Sequence, residues 1–228
     1  MTYLVIAAHP DDEVLGCGGS IAKWSQKGND VHILIMAEGA TSRDVERNPN
    51  LKKSELLHLR KSAQESSKIL GARSIEFINF PDNRMDSVEF LDIVKSIESH
   101  IKKVKPSVVV THHLGDLNID HQLIHKAVIT ACRPQPGSKI QKIISFEVSS
   151  STDWQSISNG IPFLPNYFED VSEFIDLKLK ALKVYKSEMR KWPHSRSNKA
   201  IKKLMQLRGS SVGLEAAEAF VLLRLINE

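Results

Sequence analysis

Tyr3-Leu-Val-Ile-Ala-Ala-His-Pro-Asp-Asp-Glu-Val-Leu-Gly-Cys-Gly-Gly19 is the stretch on which the fold turns. Tyr3 to Ala8 is a short apolar run with β-branched residues, the pattern of a strand buried on both faces of a parallel sheet. Pro10 ends it, because proline lacks a backbone N–H and biases His9 toward extended backbone. His9, Asp11, Asp12 and Glu13 then project from a tight turn at the strand's carboxyl end, where open α/β sheets bind ligands. Gly16, Gly18 and Gly19 superficially fit a dinucleotide fingerprint. In that fingerprint, however, the glycines follow the strand directly so that backbone meets a pyrophosphate. Here three carboxylates stand in that place and would repel phosphate. A metal site is the better reading, with the glycines letting the next helix pack close to the sheet.

Outward from this turn the chain alternates between helical and strand periodicity. Ser20 to Gln26 continues a helix, Val31 to Met36 is a second strand, Leu56 to Leu70 a helix closed by Gly71, and Ile75 to Phe80 a third strand. Val88 to Ile101 is an amphipathic helix, Val108 to Thr111 a fourth strand, and a further helix runs to about Cys132 before a fifth strand at Lys142 to Val148. Such alternation predicts right-handed crossovers and a doubly wound sheet ordered 3-2-1-4-5. Phe163 to Asp170 is expected as a loop and short edge strand, of antiparallel sense. Phe174 to Met189 and Arg196 to Arg208 are expected as helices, and Ala216 to Ile226 as an apolar tail packed on the domain. The polar run from Asp44 to Lys53 is expected as a mobile loop near the site.

With 228 residues, 41% hydrophobic and 25% charged, residues 1–228 suit a single α/β domain, Rossmann-like, with a mostly parallel sheet flanked by helices. No stretch approaches the ~20 apolar residues of a membrane span, and the opening run is too short for a signal segment. Cys17 and Cys132 form no disulfide framework, which fits a cytoplasmic location. The formal charge of +4 is concentrated in Lys178 to Arg208, where Glu188 is the only acid. We read that run as a solvated helical face, and secondarily as a patch favouring an anionic substrate. Nucleic acid is excluded as a partner, since no aromatic interleaving, zinc finger or helix-turn-helix accompanies the charge. Oligomeric state is left open, a homo-oligomer included.

In the 3-2-1-4-5 order, strands one and four are neighbours. The stretch His112-His-Leu-Gly-Asp-Leu-Asn-Ile-Asp-His121 therefore converges on the opening turn. His9, Asp12 and His121 together give two imidazoles and one carboxylate, the three-ligand pattern of a catalytic zinc with an open position. Fe(II) or Co(II) would accept the same donors. Asp11, beside a ligand but not needed as one, suits a general base for metal-activated water. Arg43 leaves the second strand at the same sheet edge and is a candidate substrate contact.

At these residues the chain resembles the LmbE-like or PIG-L zinc deacetylases, which remove acetyl from N-acetylglucosamine conjugates. The resemblance spans nearly the whole chain. It is anchored by Ala8-His-Pro-Asp-Asp-Glu13, Arg60 with Leu70-Gly71, Phe80-Pro-Asp82, Asp116-Leu-Asn-Ile-Asp-His121, and a tail with His194, Arg196, Ser197, Arg208-Gly209 and Ala217-Glu-Ala-Phe220. It implies an LmbE-like fold, His9, Asp12 and His121 as zinc ligands, Asp11 as base, and an amino-sugar conjugate as substrate. Arg43, Arg60, Asp82 and His113 are the expected substrate contacts. One departure stands out: the family usually has a histidine three residues before the last ligand, stabilising the oxyanion, where this chain has Asn118. Either Asn118 donates as a neutral amide, or His112, His113 or His194 is recruited, His194 being favoured. Asp120, which in the family orients the missing histidine, would hold His194 or stabilise its loop. Two other readings remain: a related metal-dependent hydrolase or transferase acting on another amide or a carbamoyl group, and a metal-free nucleotide-binding or sensor module.

Overall fold

A computed structural model of the chain describes residues 1–43, 45–156 and 160–227; Asp44, where the expected loop begins, lies outside them. The first strand, β1 (Thr2–Ala7), is buried almost throughout. Its residues and Ala8 just beyond it alternate between two cores: Tyr3, Val5 and Ala7 pack into one and Leu4, Ile6 and Ala8 into the other. A strand covered on both faces needs no polar residue, which is why this run is continuously apolar.

After β1 come α1 (Asp12–Gln26), β2 (Asp30–Ala37), α2 (Lys53–Ile69), β3 (Ser74–Phe80), α3 (Phe90–Val104), β4 (Val108–His112), α4 (Ile119–Ala131) and β5 (Lys142–Phe146). The order continues with β6 (Tyr167–Asp170), α5 (Ile175–Leu182), α6 (Asn198–Ser210) and β7 (Ala217–Leu225). The sheet runs β3-β2-β1-β4-β5-β7-β6. Its first five strands are parallel and in the expected order, with Tyr3, Leu4 and Val5 of β1 beside Val108, Val109 and Val110 of β4. The short edge strand is β6, antiparallel to β7. What was expected to be a packed tail is β7 itself, inserted antiparallel between β5 and β6. A short apolar run has no periodicity to tell strand from packed coil; pairing with β5 decides it. The helix expected to reach Met189 ends at Leu182, and the chain then turns inward to bury Tyr185.

Helix α1 lies close against β5, since a Cβ on Gly16 would sit 2.2 Å from the Phe146 ring. The helix breaks at Cys17, whose φ of −146° is not helical, and the break frees backbone groups in the interior. Each finds a partner from the distant tail of the chain. Glu218 of β7 accepts the N–H groups of Gly19 (2.8 Å) and Ser20 (2.6 Å), and Lys178 of α5 donates to Leu15 O (2.8 Å) and to Glu218 (2.6 Å). A buried ion pair is tolerable because both of its members are also hydrogen-bonded to backbone. Lys178 thus leaves the solvated face assigned to the basic run, as do Arg208, doubly bonded to Glu147 at 2.7 Å, and Arg196.

Candidate active site

A crevice of about 210 Å³ opens at the carboxyl ends of the parallel strands. It is lined by His9, Asp11, Asp82, Asn118, His121 and Arg196, among others. Pro10 stops β1, and Asp11 then adopts φ +121°, a left-handed value unfavourable for a residue with a side chain. The strained turn is held by Glu13, whose Oε2 accepts the Asp11 N–H (3.0 Å) while its Oε1 accepts the hydroxyl of buried Tyr185 (2.5 Å). Burial pushes the Glu13 carboxyl up to about 7, against the lowering effect of the Tyr185 hydrogen bond.

The turn after β1 and the start of α4 bring His9, Asp12 and His121 together, with one ligand atom from each lying within 4.8 Å of the others. His9 Nδ1 is 3.2 Å and His121 Nε2 3.1 Å from Asp12 Oδ2. Bonds of ~2.0–2.1 Å at tetrahedral angles would set such donors roughly 3.3 Å apart. Asp12 Oδ1 and both ring nitrogens of His121 are buried without a hydrogen-bond partner, while Asp12 Oδ2 accepts the His9 N–H (2.9 Å) and lies against His9 Nδ1. Both imidazoles are backed by carboxylates on the far side. His9 Nε2 faces Asp120 Oδ2 (3.0 Å) and Asp82 Oδ1 (3.2 Å), and His121 Nδ1 faces Asp116 Oδ1 (3.1 Å). Such outer carboxylates fix the tautomer and leave the other ring nitrogen bare for a metal. His9, Asp82 and Asp120 also lie close enough to hold an ion; the backing role accounts for them without one.

Asp11, Asp12, Asp82, Asp116 and Asp120 are all buried here, an excess of negative charge over the nearby Arg196 that calls for a cation. In the ion-free protein the imidazoles answer that call. Burial alone would lower His121, but Asp12 and Asp116 raise it to about 9. His9 is likewise raised well above the ordinary histidine value, with Asp12, Asp120 and Asp82 overcoming burial. Burial would raise Asp12 and Asp82, yet the adjacent imidazoles hold Asp12 well below the usual carboxylate range and Asp82 at about 2. Asp11 goes the other way: burial raises it well above its ordinary value, and Arg196 only partly offsets this. The residues present therefore fit a divalent cation held by three neutral or anionic donors, with a carboxylate of elevated basicity beside it.

Not every expected contact reaches the crevice. Arg43 does, but Glu188 and Glu55 take both of its terminal nitrogens, at 2.7 and 2.8 Å. Arg60 does not, because its guanidinium lies over the Phe77 ring and donates to Asn79 of β3. His113 turns away toward Ile161 O (2.9 Å) and the Phe163 ring. His194 sits edge-on to Trp154 with Nδ1 accepting the Arg196 N–H (3.0 Å), so its turn points Arg196 inward instead. Asp120 holds neither His194 nor a catalytic histidine at position 118; it holds His9 and the N–H groups of Asn83 (2.7 Å) and Met85 (3.0 Å). Sequence reasoning missed Arg196, Tyr185 and Asp116 as site residues. Asp116, which accepts from Ser151, Thr152 and the Asn118 N–H, carried a local signal in the turn before α4; Arg196 stood only as an anchor of the family resemblance, and Tyr185 carried no signal.

A family model described as PIG-L, GlcNAc-PI de-N-acetylase, matches residues 4–132, which contain all three metal-ligand candidates and Asp11. The chain belongs to the PIG-L family. Among curated relatives, the uncharacterized deacetylase YaiS of Escherichia coli is 33% identical over 190 residues, covering 81% of this chain and 90% of that one. The diacetylchitobiose deacetylase of Thermococcus kodakarensis is 28% identical over 203 residues, covering 81% and 69%. The fold of this PIG-L chain matches the solved structure of N,N'-diacetylchitobiose deacetylase from Pyrococcus horikoshii at a TM-score of 0.77 and 21% identity, over 98% of this chain and 84% of the other. Among the described residues no helix is long and apolar enough to cross a membrane.

Proposed function

We propose that this chain is a divalent-metal-dependent hydrolase that removes the acetyl group from the nitrogen of an N-acetylglucosamine unit or its conjugate. The observation that carries the reading is the juxtaposition of His9, Asp12 and His121, with unpartnered buried atoms on Asp12 and His121, and the buried carboxylate of Asp11. When bound, the metal, zinc or another divalent ion accepted by the same donors, polarises the acetamide carbonyl and acidifies a water. Asp11 takes the proton of the attacking water and later delivers it to the departing amine. Its burial supports that role, because desolvation raises a carboxylate above its ordinary value and so makes it a stronger base. Glu13 and Tyr185 hold the Asp11 turn, and Asp120 and Asp116 orient the two imidazoles.

The crevice volume is below the ~300–1,000 Å³ usual for whole drug-sized ligands, which suits the reacting end of a substrate whose remainder lies outside. Carboxylates outnumber cations there, so the reacting end is neutral, and an anionic aglycone would meet Arg43 only in competition with Glu188 and Glu55. Buried free thiols at Cys17 and Cys132 support a reducing, cytoplasmic setting. The test is release of acetate together with a new primary amine from N-acetylglucosamine, N,N'-diacetylchitobiose and glycosidic conjugates of N-acetylglucosamine. Metal-loaded protein that releases neither from any of them contradicts the reading.

A further inference from the structure

Asn118 takes the place of the family's usual oxyanion histidine, and both ends of its amide are already occupied. Oδ1 accepts the Asp120 N–H (2.9 Å) as the N-cap of α4, and Nδ2 donates to Asn83 Oδ1 (2.6 Å). The histidines nearby are committed as well. His112 accepts the Ala8 N–H through Nε2 (2.8 Å), while His113 and His194 point to Ile161 and Trp154. Among crevice cations, Arg43 has both terminal nitrogens paired with glutamates. Arg196 is different. Its side chain is 21% exposed and lines the crevice; Nη1 donates to Asp11 Oδ2 (2.7 Å) and Nε to Ser150 Oγ (2.6 Å). No acceptor among the described residues is paired with its Nη2.

The geometry points to Arg196 as the cation that stabilises the oxyanion of amide hydrolysis in this chain, in place of the missing histidine; this rests on the deacetylase reading above. Before attack, the guanidinium is paired with the Asp11 carboxylate. As the water oxygen bonds to the acetamide carbon, its proton passes to Asp11 and the carbonyl π pair becomes the oxyanion. Asp11 is then neutral, and the negative charge has moved to the former carbonyl oxygen, which shares its carbon with the oxygen that gave up the proton. Arg196 therefore loses its old partner as the new one forms, and a fixed donor needs no reorganisation to follow. When the proton passes from Asp11 to the amine nitrogen and the C–N bond breaks, the oxyanion pair re-forms the carbonyl of acetic acid, which loses its remaining proton to solvent as acetate, and the Asp11–Arg196 pair is restored. Asn118 is left with a structural task, capping α4 and tying it to the turn after β3.

The discriminating experiment measures calorimetric affinities of metal-loaded wild type, Arg196→Met and Arg196→Lys for two probes. One is N-acetylglucosamine and the other its phosphonamidate analogue, whose anionic tetrahedral centre mimics the intermediate. Arg196→Met should lose roughly 10²- to 10³-fold for the analogue, the usual worth of an oxyanion donor, and little for the acetamide. Its kcat should fall by a similar factor with KM nearly unchanged. Arg196→Lys, which keeps the charge but shortens the reach, should lose less, and it decides the matter alone if the Met variant does not fold. Equal losses for both probes, or unchanged analogue affinity, would overturn the assignment. Wild type that neither prefers the analogue nor releases acetate would overturn the deacetylase reading with it.

Discussion

Asp120→Asn should weaken metal binding without touching any metal ligand. The Asp120 carboxylate accepts three donors: His9 Nε2 at 3.0 Å, the Asn83 N–H at 2.7 Å and the Met85 N–H at 3.0 Å. Only an acceptor can serve all three. An amide in its place turns an NH₂ either toward Met85 or toward the pair formed by Asn83 and His9, so at least one buried N–H loses its partner. That costs about 1–3 kcal/mol of folding stability. In the orientation that faces His9, the imidazole is free to carry its proton on Nδ1, the atom directed at Asp12 and the proposed metal position. Losing such a backing group typically lowers metal affinity ~10- to 100-fold, or about 1.4–2.7 kcal/mol. The assay is competition for zinc with a chromophoric chelator, alongside thermal unfolding of the metal-free protein. Wild-type zinc affinity in a folded Asp120→Asn protein would refute the argument, since the tautomer of His9 would then be set by something other than Asp120.

Two further outcomes follow from the same geometry. Asp11→Asn should keep its metal but lose turnover by ~10²- to 10⁴-fold, the worth of a general base; near-normal acetate release at neutral pH would remove Asp11 from that role. The metal-free protein should lose stability as pH rises from the ordinary histidine value of 6.5 toward about 9. His121, and His9 in the same direction, are raised on folding, so their stabilisation is complete below 6.5 and is lost as pH climbs through the folded values. Metal should abolish this decline and release protons as it binds within that window. Melting temperatures recorded across it with and without zinc check both, and a flat metal-free profile counts against the buried imidazolium pair.

Much of the site was legible because local pattern and topology agreed. A βαβ rhythm placed β1 beside β4, and that single adjacency united His9 and Asp12 with His121 across more than a hundred residues. What escaped was what only tertiary contact creates. The break at Cys17 is stabilised by Glu218 and Lys178 from distant elements, and nothing near either residue announces it. Arg196 reaches Asp11 across 185 positions, and whether a turn points its histidine or its arginine inward is not written in its composition. Asn118 is the instructive case. An asparagine directly before a helical run is an N-cap signal, and reading it so would have told against a free oxyanion donor.

If one metal held by His9, Asp12 and His121 makes this chain a deacetylase, its activity follows the occupancy of that site. The check is to titrate zinc into the metal-free protein while following acetate release from N,N'-diacetylchitobiose or another N-acetylglucosamine conjugate. Activity should rise linearly and break at one equivalent per chain, and His121→Ala should show neither the rise nor the break. Full turnover before any metal is added, or an unaltered titration in His121→Ala, would contradict the account.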